Sequence, residues 1–125
     1  MISEDKAKTI GQEWIESWNR HDLDAIMSHY AEEIEFISPF IIKLLGDASG
    51  TIKGKEALRS YFAKGLDTYP ELKFELLQIL TGVESLTVYY RSVKEMLAAE
   101  VMVLDSQDKI AKAIVHYSAN SISKI

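Results

Sequence analysis

The chain has 125 residues, of which 47% are hydrophobic and 26% are charged, and its formal net charge is −5. That length suits a single domain with one core, spanning residues 1–125. The acidic balance argues against nucleic-acid binding, which needs a basic surface, and the absence of cysteine excludes disulfides and thiol chemistry. No apolar run approaches the roughly 20 residues of a membrane span, and a secretory signal is not expected, because the first residues include acidic side chains and no apolar stretch. We therefore expect a cytoplasmic protein with no membrane partner.

Two helices are predicted at the N-terminus. Ser3 is a suitable N-cap for a first helix that runs to Asn19, with Trp14 and Trp18 one turn apart on its apolar face. Asp22 is a suitable cap for a second helix that continues to about residue 30. Both helices have one apolar stripe, which predicts that they pack against a common core.

A strand and a third helix follow. Residues 33–40 alternate with a period near two, and the strand is predicted to end at Pro39, because proline cannot donate to a β-ladder. After a loop at 46–50, a short strand is predicted at 51–53 and a third helix from Gly54 to about residue 66.

The second half of the chain is predicted to be an antiparallel meander. Its four strands are 72–80, 86–93, 96–104 and 110–117, and the last eight residues are predicted to fray. The simplest hairpin turns are Lys94-Glu95 and Ser106-Gln107. Helices first and a meander second predict an α+β fold with the helices on one face of a curved sheet.

The predicted turns fix which side chains share a face. A turn at Lys94-Glu95 places Tyr89 opposite Glu100, and Arg91 and Met102 on the same face. The second turn places Ala113 beside Glu100, with Val115 and Tyr117 on that face. The other face is more uniformly apolar and carries Val88, Tyr90, Val101 and Val103. The helices can cover only one face, so we expect the apolar face to meet a second copy of the chain.

Four groups of residues in this order carry a family resemblance: Trp14-x3-Trp18-Asn19-x2-Asp22-Leu23-Asp24-x2-Met27-x2-Tyr30-Ala31, Phe36-x2-Pro39, Gly50-x3-Gly54-Lys55-Glu56-Ala57-Leu58, and Lys109-Ile110. With them the chain resembles the nuclear transport factor 2-like superfamily, and most of all its SnoaL-like and ketosteroid-isomerase-like branch. The resemblance implies a cone-shaped, curved antiparallel sheet with three N-terminal-half helices packed on its concave face. It also implies a cavity between them and a homodimer formed through the convex sheet face.

The resemblance carries three positions of the isomerase site onto this chain. The general base, an aspartate before the proline that ends the first strand, corresponds to Ser38. The oxyanion-stabilising tyrosine of the first helix corresponds to Trp14, and the protonated aspartate of a central strand corresponds to Glu100. Two of the three chemical types differ, because serine is no base at neutral pH and tryptophan is never acidic. Steroid isomerisation by the family mechanism is therefore not expected.

Glu100 is the main candidate for chemistry, with Tyr89 beside it. A carboxyl on a central strand facing helices is costly unless it is paired or protonated, so Glu100 is interpreted as an acid with a raised pKa. The alternative is a structural carboxylate satisfied by Arg91 or Tyr89. The predicted ligand-binding residues are Trp14, Trp18, Ser38, Phe40, Tyr61, Phe62, Arg91, Met102 and Tyr117, although ordinary core packing would explain each aromatic alone.

Two functions remain open. The first is binding, with or without acid–base transformation, of a small hydrophobic or carbonyl-containing molecule by an isomerase, cyclase or dehydratase type of site. No histidine pair has metal-ligand spacing, so neither metal nor cofactor is expected. The second is a non-catalytic ligand-binding or dimerisation module, which the serine at position 38 favours.

Overall fold

A curved six-stranded sheet and a set of mostly N-terminal helices form the molecule, as seen in a computed structural model that describes residues 1–124. The helices are α1 (Glu4–Asn19), α2 (Leu23–Met27), α3 (Pro39–Leu45), α4 (Lys55–Thr68) and α5 (Ala119–Ile122). The strands are β1 (Tyr30–Ile37), β2 (Thr51–Lys53), β3 (Glu75–Thr81), β4 (Ser85–Arg91), β5 (Leu97–Leu104) and β6 (Ile110–Tyr117). Along the sheet their order is β2-β1-β6-β5-β4-β3. Only the β1–β6 pair is parallel among the strands of residues 1–124.

The α+β class, the curved sheet and the helices in the N-terminal half are confirmed. The Ser3 hydroxyl caps α1 by accepting from the Lys6 N–H, and Asp22 caps α2 by accepting from the Ala25 N–H. The short strand at 51–53 and the last strand at 110–117 have the predicted bounds. Local caps and strand alternation were sufficient to locate these elements.

Several boundaries in the first half differ from the prediction. Helix α2 ends at Met27, and β1 already begins at Tyr30 rather than at residue 33. The apolar run after Pro39 is a helix, α3, with the Ser38 side chain as N-cap, proline in its first turn and Gly46 at φ 69° as its end. Serine, proline and glycine at these positions are the usual signals of a helix. Residues 119–122 of the C-terminal tail likewise form α5, capped by Ser118, instead of fraying, whereas residue 125 of the predicted tail lies outside the described residues.

The predicted β4–β5 turn is wrong, and its correction reverses the faces of the β4 side chains. The connection is Ser92–Met96, with a 3₁₀ turn at Val93–Glu95 and both Lys94 and Glu95 at positive φ. Val88 therefore lies opposite Glu100, and Tyr90 lies opposite Ala98. Because side chains alternate between faces, this shift by one residue moves every β4 side chain to the face opposite the predicted one.

The β5–β6 register also differs, although without a change of face. The connection spans Asp105 to Lys109, and Glu100 lies opposite Val115 rather than Ala113. A shift of two residues preserves the alternation. Ala113 and Val115 are buried on the same side as Glu100, as the sequence predicted.

The core lies between the concave side of the sheet and the helices, and it is rich in aromatic rings. Trp14 of α1 stacks on Phe74 with ring centroids 5.9 Å apart and meets Tyr90 edge-on at 5.3 Å. Gly11 of α1 is buried against Ile79 of β3, where a Cβ atom would come within 2.6 Å of the isoleucine side chain. This close approach brings the tryptophans of α1 onto the sheet. None of the helices formed by residues 1–124 is long and apolar enough to cross a membrane.

Candidate functional site

A cavity of about 70 Å³ lies inside the aromatic core, and we call it the inner chamber. It is lined by nine aromatic side chains together with Ser38, Glu100 and Val115; the aromatic residues are Trp14, Trp18, Phe36, Phe40, Tyr61, Phe62, Phe74, Tyr90 and Tyr117. An apolar lining with a few polar groups is typical of a small-molecule site.

The inner chamber adjoins a second cavity of about 80 Å³, which we call the mouth. Six residues line both spaces, among them Trp18 and Phe74, and the mouth adds residues such as Leu72 and Val93. The mouth in turn shares residues with an open surface groove of about 850 Å³ formed by 68–75 and 91–95. The shared lining residues show that the inner chamber, the mouth and the surface groove lie next to one another.

Glu100 is the only carboxyl group that lines the inner chamber among the described residues. It lies on β5 and is 2% exposed. The Tyr90 O–H donates to its Oε1 at 3.0 Å, whereas Oε2 has no hydrogen-bond partner within residues 1–124. Burial raises the pKa of Glu100 from its ordinary 4.5 to about 8, against the smaller lowering effect of the Tyr90 hydrogen bond. At neutral pH the group is therefore mainly a neutral carboxylic acid.

Four tyrosines surround this carboxyl. Burial raises the pKa of Tyr30, Tyr61, Tyr90 and Tyr117 well above the usual value, and the Glu100 carboxylate adds to each rise. These phenols therefore remain protonated at physiological pH. They can donate hydrogen bonds in the site, but they cannot act there as strong bases.

The two tryptophans of α1 differ in their hydrogen bonding. The Trp14 Nε1–H donates to the Tyr30 hydroxyl at 2.9 Å. Trp18 is 6% exposed, and its Nε1–H has no acceptor among residues 1–124. The unsatisfied atoms of Trp18 and Glu100 belong to side chains that line the same chamber.

Ser38, which the family resemblance places at the position of the isomerase base, directly follows the end of β1. It is 3% exposed, and its hydroxyl accepts from the Phe40 N–H at 3.2 Å. That bond caps α3, so the serine has a structural task at the edge of the chamber. The hydroxyl also lies beside Tyr61 and Tyr117, where it slightly lowers the pKa of each phenol.

The structure brings most of the predicted site residues together. Eight of them line the inner chamber: Glu100, Trp14, Trp18, Ser38, Phe40, Tyr61, Phe62 and Tyr117. Tyr89 and Arg91 lie on the convex face, and the predicted pairing of Tyr89 with Glu100 is wrong. Arg91 instead bridges Glu75 at 3.2 Å and Glu95 at 3.8 Å, so it is not the partner of Glu100 either. Met102 shares the concave face but is fully buried in the core outside the chamber lining.

Four lining residues, Phe36, Phe74, Tyr90 and Val115, were not among the predicted site residues, although Val115 was placed on the face of Glu100. Phe36 has the same strand parity as Ser38, so the alternation in β1 contained the signal for it. Tyr90, and not Tyr89 as predicted, is the neighbour of Glu100. Its place in the chamber could be predicted only from the true β4–β5 connection. Phe74 lies in an extended segment just before β3, where strand periodicity gives no information.

A curved sheet closed by N-terminal helices over an aromatic cavity defines the nuclear transport factor 2-like class of folds. Within that class, this chain belongs to the SnoaL-like domain family, whose model matches residues 12–108. No curated protein matches the chain.

Solved structures agree with this assignment. A SnoaL-like protein of unknown function from Burkholderia thailandensis is 41% identical, with a TM-score of 0.92 over 94% of this chain and 98% of that one. SalBIII, described as an epoxide hydrolase/cyclase-like enzyme in pyran ring formation in salinomycin, is 22% identical, with a TM-score of 0.76 over 97% of both chains. A SnoaL-like family protein from Agrobacterium tumefaciens, suggested to be an isomerase, is 14% identical, with a TM-score of 0.74 over 92% of this chain and 99% of that one. The last two show similarity of fold alone.

Proposed function

We propose that this protein binds a small, mainly apolar carbonyl compound in the inner chamber and that Glu100 engages the carbonyl oxygen. The observation that carries the proposal is a buried carboxyl in an aromatic cavity whose Oε2 has no hydrogen-bond partner within residues 1–124. An unsatisfied buried polar atom costs free energy, and a ligand that bonds to it recovers part of that cost.

The chemistry follows from the protonation state of Glu100. Below about pH 8 the carboxyl carries a proton, while its other oxygen accepts from Tyr90. A neutral acid in an apolar site donates to a carbonyl oxygen and stabilises the negative charge that develops there during enolisation, while solvent water accepts the proton that leaves the neighbouring carbon. Because its pKa lies near neutrality, the same group exchanges protons readily in either direction. These properties suit an isomerase, cyclase or dehydratase type of reaction.

The names of similar proteins are compatible with that range. SalBIII is described with pyran ring formation, and the Agrobacterium protein is suggested to be an isomerase. Both reaction types depend on proton transfer to or from oxygen and carbon, which is the chemistry that a buried acid can supply.

The test uses cyclohexanone as the probe and follows two quantities by NMR in D₂O. Broadening of the ketone signals reports binding, and loss of the signals of the protons next to the carbonyl reports enolisation. We expect the wild-type protein to do both, and Glu100→Gln to bind more weakly and to lose the catalysed exchange by a factor of about 100 or more. Glu33→Gln, a matched change at an exposed carboxyl on β1, should leave both quantities unchanged. Equal binding and exchange by wild type and Glu100→Gln would refute a ligand role for Glu100.

A non-catalytic binding module is the second candidate, and Ser38 favours it. The Ser38 hydroxyl accepts from the Phe40 N–H, and among residues 1–124 no carboxyl other than Glu100 lines the chamber. The site then has an acid that can polarise a carbonyl but no second strong base to remove a proton from carbon. Ketone binding without proton exchange in the experiment above would identify this function.

Ser38→Asp would supply the absent base. Aspartate is as good an N-cap as serine, so the start of α3 should be preserved. We expect this variant to accelerate deuterium exchange into cyclohexanone above the wild-type rate, because the new carboxylate and Glu100 would act on opposite ends of the enolising unit. Ser38→Asn keeps the cap without the base and serves as the control. An Asp variant that folds and binds the ketone but gains no exchange would contradict this arrangement of the chamber.

A further inference from the structure

We propose that the Trp18 indole N–H is a second ligand anchor, which selects molecules with a hydrogen-bond acceptor on the mouth side of the group that meets Glu100. This inference rests on the proposed function, because it concerns the ligand of the same chamber. It narrows the ligand from an apolar carbonyl compound to one with a second oxygen, such as a cyclic ether ketone or a hydroxyketone.

The first argument is the state of the Trp18 side chain. The indole is more than nine-tenths buried, yet its only polar atom has no acceptor within residues 1–124. Its ring is held edge-on against Phe62 at 4.8 Å and tilted against Phe74 at 5.4 Å. A buried N–H without a partner is unfavourable, and the aromatic contacts keep the indole from turning to find one elsewhere.

The second argument is the contrast with Trp14, one helical turn earlier. The Trp14 indole is also buried in the aromatic core, but its N–H donates to the buried Tyr30 hydroxyl. The fold therefore supplies an internal acceptor for the Trp14 N–H, although Trp14 lines the same chamber. At Trp18 the acceptor must come from outside the described chain, which indicates a ligand.

The third argument is the position of Trp18 between the inner chamber and the mouth. Glu100 lines the inner chamber but not the mouth, whereas Trp18 lines both. A ligand whose carbonyl reaches Glu100 therefore has its outer part beside Trp18. An acceptor in that outer part can bond to the indole, while the rest of the molecule contacts aromatic faces.

The experiment compares two ketones of nearly equal shape. They are cyclohexanone and the tetrahydropyranone whose ring oxygen lies opposite its carbonyl. Their affinities are measured by NMR titration for the wild type, Trp18→Phe and Glu100→Gln. We expect the wild type to favour the ether ketone by about threefold to tenfold, which is the usual worth of one neutral hydrogen bond. Trp18→Phe should lose this preference. Glu100→Gln should weaken both ketones alike and keep the preference.

A second measurement needs no variant that alters the fold. The chain has two tryptophans, so ¹⁵N-labelled protein gives two indole N–H signals. The ether ketone should shift the Trp18 signal downfield, and cyclohexanone should shift it much less. The Trp14 signal is the internal control, because its bond to Tyr30 leaves it nothing to gain from the ligand.

The possible outcomes distinguish failure of the Trp18 anchor from failure of the proposed function. Equal affinity for both ketones in the wild type, or an equal shift of the Trp18 signal, would overturn the Trp18 anchor and leave the Glu100 proposal standing. Loss of the preference in Glu100→Gln but not in Trp18→Phe would also overturn it. If neither ketone bound to the wild-type protein, both proposals would be overturned.

Discussion

At the scale of single residues, Glu100 has an environment that favours its neutral form. It receives one hydrogen bond, from Tyr90, and its other neighbours in the chamber are aromatic or aliphatic side chains and neutral hydroxyls. Arg91, the cation that the sequence suggested as its partner, lies on the other face and is engaged by two other carboxylates. Burial without a compensating positive charge raises the pKa of a carboxyl, and the pKa of Glu100 is raised for this reason.

This environment predicts a specific dependence of stability on pH. The folded protein keeps the Glu100 proton up to about pH 8, whereas the unfolded chain releases it near 4.5. Between these values the folded state binds more protons, so stability falls as pH rises, by at most roughly 1.4 kcal/mol per pH unit from this group. The contribution is fully favourable below pH 4.5 and lost above pH 8.

Glu100→Gln should remove that contribution, because an amide does not titrate. We expect the free energy of unfolding in urea to fall less steeply with pH in the variant than in the wild type across this window. The variant should also gain relative stability above pH 8. The difference between the unfolding free energies of the two proteins cancels the titration of other groups. One such group is His29, because burial lowers its pKa. Parallel curves for the two proteins would show that Glu100 is ionised in the folded state.

At the scale of elements, the β4–β5 connection decides which side chains enter the site. The composition of both strands predicted a hairpin, and β5 was placed on the correct face. The sequence around Lys94-Glu95 does not show that the connection takes five residues, because neither residue is a usual choice for positive φ. Tyr90 and not Tyr89 therefore meets Glu100. The start of β3 was predicted poorly for a different reason, since Phe74 bonds to the Asn19 side chain of α1 instead of to a strand.

That contact is made by Asn19, at the end of α1, and it holds one wall of the mouth. The Asn19 Nδ2 donates to the Phe74 carbonyl at 2.9 Å, and its Oδ1 accepts from the Phe74 N–H at 2.7 Å. The His21 Nε2 lies 2.7 Å from the Leu72 carbonyl. Leu72 and Phe74 both line the mouth, so the amide of Asn19 acts as a substitute for a strand edge and positions this wall.

Asn19→Ala should loosen the mouth and destabilise the fold. Loss of two partly buried hydrogen bonds is expected to lower the free energy of unfolding by about 1–3 kcal/mol. Trp14 and Trp18 should become more accessible to acrylamide, which is measured by quenching of their fluorescence. Asn120→Ala, at an exposed position on α5, is the matched control. Unchanged stability and quenching in Asn19→Ala would mean that Phe74 is held by its ring contacts alone.

At the scale of the whole molecule, the sheet has one covered face and one uncovered face. The sequence predicted this asymmetry, because the alternation in β5 separates Glu100 and Met102 from Val101 and Val103. With the corrected register, the convex face carries Leu80, Thr87, Tyr89, Val101 and Ile114 at its middle. These side chains are half-buried or exposed in the single chain, and Leu80 is 50% exposed. Which molecule covers them depends on surfaces outside one chain, so neither sequence alternation nor register decides it.

We propose that a second copy of the chain covers the convex face. An apolar surface of this kind is unfavourable in water, and pairing two identical faces about a two-fold axis buries both at once. Val101→Glu would place a carboxylate at the centre of the face in each copy, where the two-fold axis brings like charges together. We expect the wild type to sediment as a dimer and the variant as a monomer with an unchanged circular dichroism spectrum. Gln12→Glu, an equal charge change on an exposed position of α1, should remain dimeric. A monomeric wild type would refute the pairing. Because the inner chamber opens on the opposite side of the sheet, monomeric Val101→Glu should still bind cyclohexanone.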